Sequence, residues 1–180
     1  MRVHRLKVEL LTEEAFAPFG EVLEPKNRPP DYKSSATDAW IPNFQTDGTT
    51  QMMVMTTFYE PLRFTMLERH LFVTQTFLPT VGAPSVVVVG APTDPTDRHA
   101  APLPEELRAF LLDGTKGYLM LRGTWHSMSR FPLYPPSSGF VIITDEETTE
   151  ELRTVPAEER RRTHQVDYAE KHGITFELEL

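Results

Sequence analysis

Glu68 and His70, separated by one residue, and His126, which ends the run Arg122-Gly123-Thr124-Trp125-His126, are the side chains best suited to bind a metal or move a proton. On a β-strand, residues i and i+2 face the same side, so Glu68 and His70 project together while Arg69 points away. Two imidazoles and a carboxylate are the donor set of a facial metal site that leaves positions open for a substrate, and the same groups form an acid–base set without a metal. One divalent transition metal ion on Glu68, His70 and His126 is therefore an open expectation. Gln75 follows His70 after four intervening residues and returns to the same side through a turn or bulge; its neutral amide is a poor metal ligand but suits hydrogen bonding to a substrate. Arg122 would meet a substrate carboxylate if it faces inward, or pair with an acid of the chain if it does not. The competing reading pairs Glu68 with Arg69 or Arg122 and makes both histidines hydrogen-bonded core residues. Trp125 reads as packing.

The elements that must position these groups are mostly strands. Gln51 to Tyr59, Leu71 to Leu78, Ser85 to Ala91, Gly117 to Leu121 and Gly139 to Thr144 are short runs rich in Val, Ile, Thr, Met and aromatics. Two short helices are expected, one capped by Thr12 and running to Phe16, the other over Pro104 to Leu112, where Leu107, Phe110 and Leu111 fall at i, i+3 and i+4. Pro25 to Gly48, Ala91 to Pro104 and Ser129 to Ser138 are rich in turn residues and read as loops. Asp145 to Arg162 is heavily charged and reads as a solvated helix or meander away from any site. Ile174 to Leu180 alternates apolar and polar residues, a strand that covers a sheet edge or pairs with a partner subunit.

Length and composition set the limits. At 180 residues a single domain is expected, and 26 acidic against 18 basic residues, a formal charge of -8, argue against nucleic acid as a partner. The absence of cysteine excludes disulfides, thiolate nucleophiles and cysteine-ligated zinc. Met1 to Lys7 has no apolar stretch behind its positive charges, and no window approaches ~20 apolar residues, so a soluble cytoplasmic protein without a membrane partner is expected.

Glu68, His70, Gln75 and Gly82 occupy the places of the first cupin motif, and Gly123 and His126 those of the second, where Leu121 replaces the customary proline and Arg130 the asparagine. The wider wording, Glu68 to His70, Thr74 to Pro79, Val86 to Val89, Leu107 to Phe110 and Arg122 to His126, with the opening Glu14 to Val22, resembles the ureidoglycolate lyase family over residues 6 to 144. That resemblance implies an all-β, cupin-type double-stranded β-helix barrel with a few short flanking helices, a single domain over 1–180 with 145–180 as an extension, and a homodimer. It implies a carbon–nitrogen lyase that splits ureidoglycolate, a small molecule, into glyoxylate and urea in purine-nitrogen catabolism. Glu68, His70 and His126 would be catalytic, and Gln75 and Arg122 would bind substrate. Where the family has polar Asn, Tyr and His this chain has Leu119, Met120 and Leu121, while Ser127 stands for a second histidine and Thr144-Asp145 for an Asp-Arg pair, which makes the pocket less polar. Two alternatives stay open: a metal-dependent cupin dioxygenase or isomerase acting on a more apolar substrate, and a non-catalytic small-molecule-binding cupin.

Overall fold

Strands dominate because β-branched, Met and aromatic residues recur in short runs between Pro, Gly and Asp. The computed structural model describes residues 2–180; Met1, the first residue of the charged opening Met1 to Lys7, lies outside them. In chain order the elements are β1 (Arg2–Leu10), α1 (Glu13–Phe16), β2 (Gly20–Leu23), β3 (Tyr32–Lys33), β4 (Asp38–Ala39), β5 (Thr50–Phe58), β6 (Arg63–Phe64), β7 (Met66–His70) and β8 (Gln75–Gly82). They continue with β9 (Ser85–Gly90), β10 (Arg108–Leu112), β11 (Gly117–Met120), β12 (Trp125–Ser127), β13 (Ser137–Asp145), α2 (Glu146–Thr154), β14 (Thr163–Asp167), α3 (Tyr168–His172) and β15 (Ile174–Glu179). The fold is all-β and cupin-like: a strongly curled eight-stranded sheet, β14-β7-β12-β9-β10-β1-β15-β6, faces a five-stranded sheet, β2-β11-β8-β13-β5. Among the described residues, no helix is long and apolar enough to cross a membrane.

Two apolar clusters use the two faces of the larger sheet. Val87, Val89 and Phe110 pack against Phe77, Tyr118, Met120 and Phe140 between the sheets. Val86, Val88, Leu67 and Trp125 turn the other way and meet Tyr168, Phe176 and Leu178, where the sheet curls back over itself. All six residues of β9 are buried, as its unbroken Val run requires.

The helix expected over Pro104 to Leu112 is not formed. A single 3-10 turn at Pro104–Glu106 leads into β10, which pairs antiparallel with β9 and parallel with β1. Its apolar spacing misled because this strand is buried on both faces, Ala109 in one cluster and Phe110 in the other, so no period-two alternation survives. The strand expected over Leu71 to Leu78 starts only at Gln75 and runs on to Gly82, with a register shift of β13 between Gly139 and Phe140 where it passes Pro79. β1 was not anticipated, because its charges mask the alternation. The Thr12 cap is present, its hydroxyl accepting from the Ala15 amide at 3.2 Å. The 25–48 segment is a loop broken by the small β3–β4 hairpin.

The tail departs most from expectation. Asp145 caps α2 and is fully buried, and β14 joins the large sheet beside β7. β15 lies inside that sheet, parallel to β1 and antiparallel to the two-residue β6, so its backbone edge is used within the chain.

Candidate active site

β7 and β12 are adjacent antiparallel strands, with His126 directly opposite Glu68. The sharp turn before β12 is made by Gly123, whose φ of 77° suits glycine and whose amide donates to the His70 carbonyl at 2.7 Å. Strand alternation then does the sorting. Glu68, His70 and His126 share one face; Leu67, Arg69 and Trp125 share the other.

Glu68 Oε1 stands 3.6 Å from His126 Nε2 and 3.8 Å from His70 Nε2. The imidazole rings are 5.2 Å apart, and both histidines are buried. Their far nitrogens are held. His126 Nδ1 lies 3.2 Å from the Thr124 carbonyl, an acceptor only, so Nδ1 carries a hydrogen and the ring is fixed with Nε2 turned into the site. His70 Nδ1 lies 3.0 Å from the Thr163 hydroxyl, and Glu68 Oε2 accepts from the Gln165 amide at 3.1 Å.

Burial pushes His70 down to about 4 against the pull of the Glu68 charge, so the ring is neutral near pH 7. Burial also raises Glu68, but the imidazoles of His126 and His70 and the Gln165 amide outweigh it and hold the carboxylate far below its usual range. The site rests with an ionised carboxylate beside a neutral imidazole.

The donor set fits a divalent ion. Separations of 3.6 and 3.8 Å are long for hydrogen bonds and close to the roughly 3.0–3.5 Å between two ligands on one ion at ~2.1 Å. The three ligand atoms lie within 4.8 Å of one another. Thr163 and the Thr124 carbonyl orient the imidazoles as outer-shell partners do in metal sites.

Gln75 lines the same small cavity as both histidines, together with Val73, Met120 and Leu121. Its Nε2 donates to the Thr144 hydroxyl at 3.4 Å, and its carbonyl oxygen is buried without a partner. The cavity is narrow; no water-sized sphere fits between its walls. Arg122 is placed differently. Its guanidinium makes two hydrogen bonds to Asp47, at 2.8 and 3.1 Å, on the segment that covers Val73 and Thr74. Neither Arg69 nor Arg122 pairs with Glu68, so the competing reading of an ion-paired core glutamate does not describe this chain.

Two site contacts come from residues that motif reading passed over, Thr163 beside His70 and Gln165 beside Glu68, and the Asp145–Arg162 ion pair at 2.7 Å lies in the same tail. Alternating polar residues at Thr163, Gln165 and Asp167 mark a strand with one polar face, but nothing local says that it lies beside β7.

A family model described as ureidoglycolate lyase matches residues 3–167, past the 144 reached by motif reading and into β14. The ureidoglycolate lyase of Azotobacter vinelandii (strain DJ) is 36% identical over 131 residues, covering 67% of this chain and 74% of that protein. That of Pseudomonas paraeruginosa (strain PA7) is 37% identical over 131 residues, 67% of this chain and 73% of that protein. That of Brucella anthropi is 33% identical over 134 residues, 70% and 75%.

Proposed function

The chain belongs to the ureidoglycolate lyase family, and from that premise we propose that it is a carbon–nitrogen lyase that cleaves ureidoglycolate, or a closely related carbinolamine acid, to glyoxylate and urea. The observation that carries the reading is the convergence of Glu68 Oε1 with the two Nε2 atoms, beside an unpartnered Gln75 carbonyl. The reaction is a retro-addition. His126 Nε2 takes the hydroxyl proton, the carbon–oxygen double bond forms as the C–N bond breaks, and the same proton passes to the departing urea nitrogen. Glu68 stabilises the transient imidazolium, and the fixed Nδ1–H keeps the accepting lone pair aimed at the substrate. The Gln75 carbonyl accepts from a ureido N–H, which satisfies an otherwise orphaned buried acceptor. Arg122 receives the entering carboxylate at the rim, and admission requires Gln45–Asp47, bonded to Phe72 and Thr74, to lift away.

A divalent ion on Glu68, His70 and His126 would supply Lewis-acid polarisation of the substrate oxygens. It would also occupy His126 Nε2, so the metal and the free-base roles of that atom exclude each other. Urea and glyoxylate release from ureidoglycolate, measured with and without chelator above the uncatalysed rate, tests both points: no release in either condition ends the lyase reading, and loss with chelator alone assigns His126 to the metal.

We further infer a cytoplasmic homodimer joined through β5. This nine-residue edge strand has no charge, proline or glycine, and Met52, Val54 and Phe58 stand exposed on its outer face. An antiparallel edge is self-complementary about a two-fold through Val54, and its neutrality lets two chains of charge -8 meet there. Light scattering of wild type and Val54→Lys checks it; a wild-type monomer at micromolar concentration refutes it.

A further inference from the structure

The interior holds a cation that the scheme above leaves unused. Arg130 is 2% exposed, with its guanidinium 4.2 Å from the centre of the Phe77 ring. Nε donates to the Tyr118 hydroxyl at 2.7 Å, and Nη1 donates to the carbonyls of Ser127 at 2.6 Å and Ser129 at 3.3 Å. All three partners are neutral, since burial raises the Tyr118 phenol despite the arginine beside it. Among the described residues no carboxylate forms an ion pair with Arg130, and Nη2 has no protein partner. Arg69, the other fully buried arginine, differs: both of its terminal nitrogens are saturated by Thr93, Asp94, Asp97 and His164.

A buried guanidinium without a counter-ion is costly, and its free edge is an anion site. Its depth is set by strand register. Met120 pairs with Gln75 and Tyr118 with Phe77, so the ring beneath Arg130 lies two residues, about 7 Å, further along the barrel than Gln75. An anionic substrate facing ionised Glu68 needs such a cation, and the sequence places Arg130 where the second cupin motif has asparagine.

We propose that Arg130 is the carboxylate anchor of the site, its free Nη2 edge binding the carboxylate of a small 2-hydroxy or 2-oxo acid and so turning the reacting carbon toward Glu68, His70 and His126. The assignment to a reacting substrate rests on the lyase reading, whereas carboxylate binding can be measured without turnover. Calorimetric titration with glyoxylate and with neutral glycolamide, on wild type, R130K and R130Q, gives the first readout, and KM and kcat for ureidoglycolate the second. Wild type is expected to prefer glyoxylate by about 30-fold, R130Q to lose that preference and raise KM about 30-fold with kcat nearly unchanged, and R130K to fall between. A merely structural arginine would lower stability and kcat while glyoxylate preference persisted, which overturns the proposal. Should neither variant fold, the guanidinium ¹⁵N resonances of wild type decide it: Arg130 must shift with glyoxylate and not with glycolamide. Wild type that binds glyoxylate through Arg130 yet releases no urea retains the anchor and refutes the lyase reading; urea release indifferent to R130Q does the reverse.

Discussion

The two faces of the β7–β12 strand pair share one stretch of backbone and do opposite things. On the inner face, Glu68 Oε1 stands 3.6 Å from His126 Nε2 and 3.8 Å from His70 Nε2, without direct hydrogen bonds among them. On the outer face every polar atom but one is spent. Arg69 stacks 4.7 Å above Trp125 and donates to the carbonyls of Thr93, Asp94 and Asp97, while Trp125 Nε1 donates to the Thr93 hydroxyl. Only Arg69 Nε lacks a partner. His164 completes the arrangement: burial and the Arg69 charge push it down to about 4, which keeps it neutral and able to accept. The contrast shows how a barrel separates chemistry from stability with period two alone, since adjacent residues cannot serve the same face.

That division can be broken from either side. The largest effect is expected for His126→Gln: urea release should fall about a thousandfold, while near-ultraviolet circular dichroism stays native; a parallel loss of fold would mean that the inner face is structural too. Arg69→Met should cost about 3 kcal/mol in denaturant unfolding, because several buried carbonyls lose their donor. Turnover per folded molecule should stay within about twofold; a larger drop would couple the faces.

Acid should weaken both faces. His70 and His164 sit near 4 when folded and near 6.5 when unfolded, so between those values the unfolded chain binds more protons and stability is lost as pH falls. For buried His70 the loss is about 3 kcal/mol at most by pH 4. Comparing unfolding midpoints at pH 7 and pH 5 in chelator should show the slope, flattened in His70→Gln; an unchanged slope would assign it elsewhere. Smallest is Gln165→Leu, expected to reduce kcat about tenfold by freeing Glu68, with little change in KM.

The inner face was legible because metal- and proton-handling residues at cupin spacing constrain one another: Glu68, His70, Gln75 and His126 could be placed together from i, i+2 alternation and two glycines. Arg69 was not, since its partners lie in a proline-rich loop whose path no local pattern encodes. β10 was misread as helix for a related reason. Burial on both faces erases the alternation that identifies a strand. The tail was misjudged on charge: Arg162 and Asp145 look solvated in sequence but neutralise each other inside, and β14 finds β7 only through tertiary packing.

The position of β14 also sets a schedule. Glu68, His70 and His126 leave the ribosome well before Thr163 and Gln165, the residues that steady His70 and Glu68. A nascent chain paused between β13 and β14 therefore carries all three reactive groups but lacks two of their braces. Competence arrives late in synthesis, with the second of those strands, and a stalled chain series scored for urea release would date it.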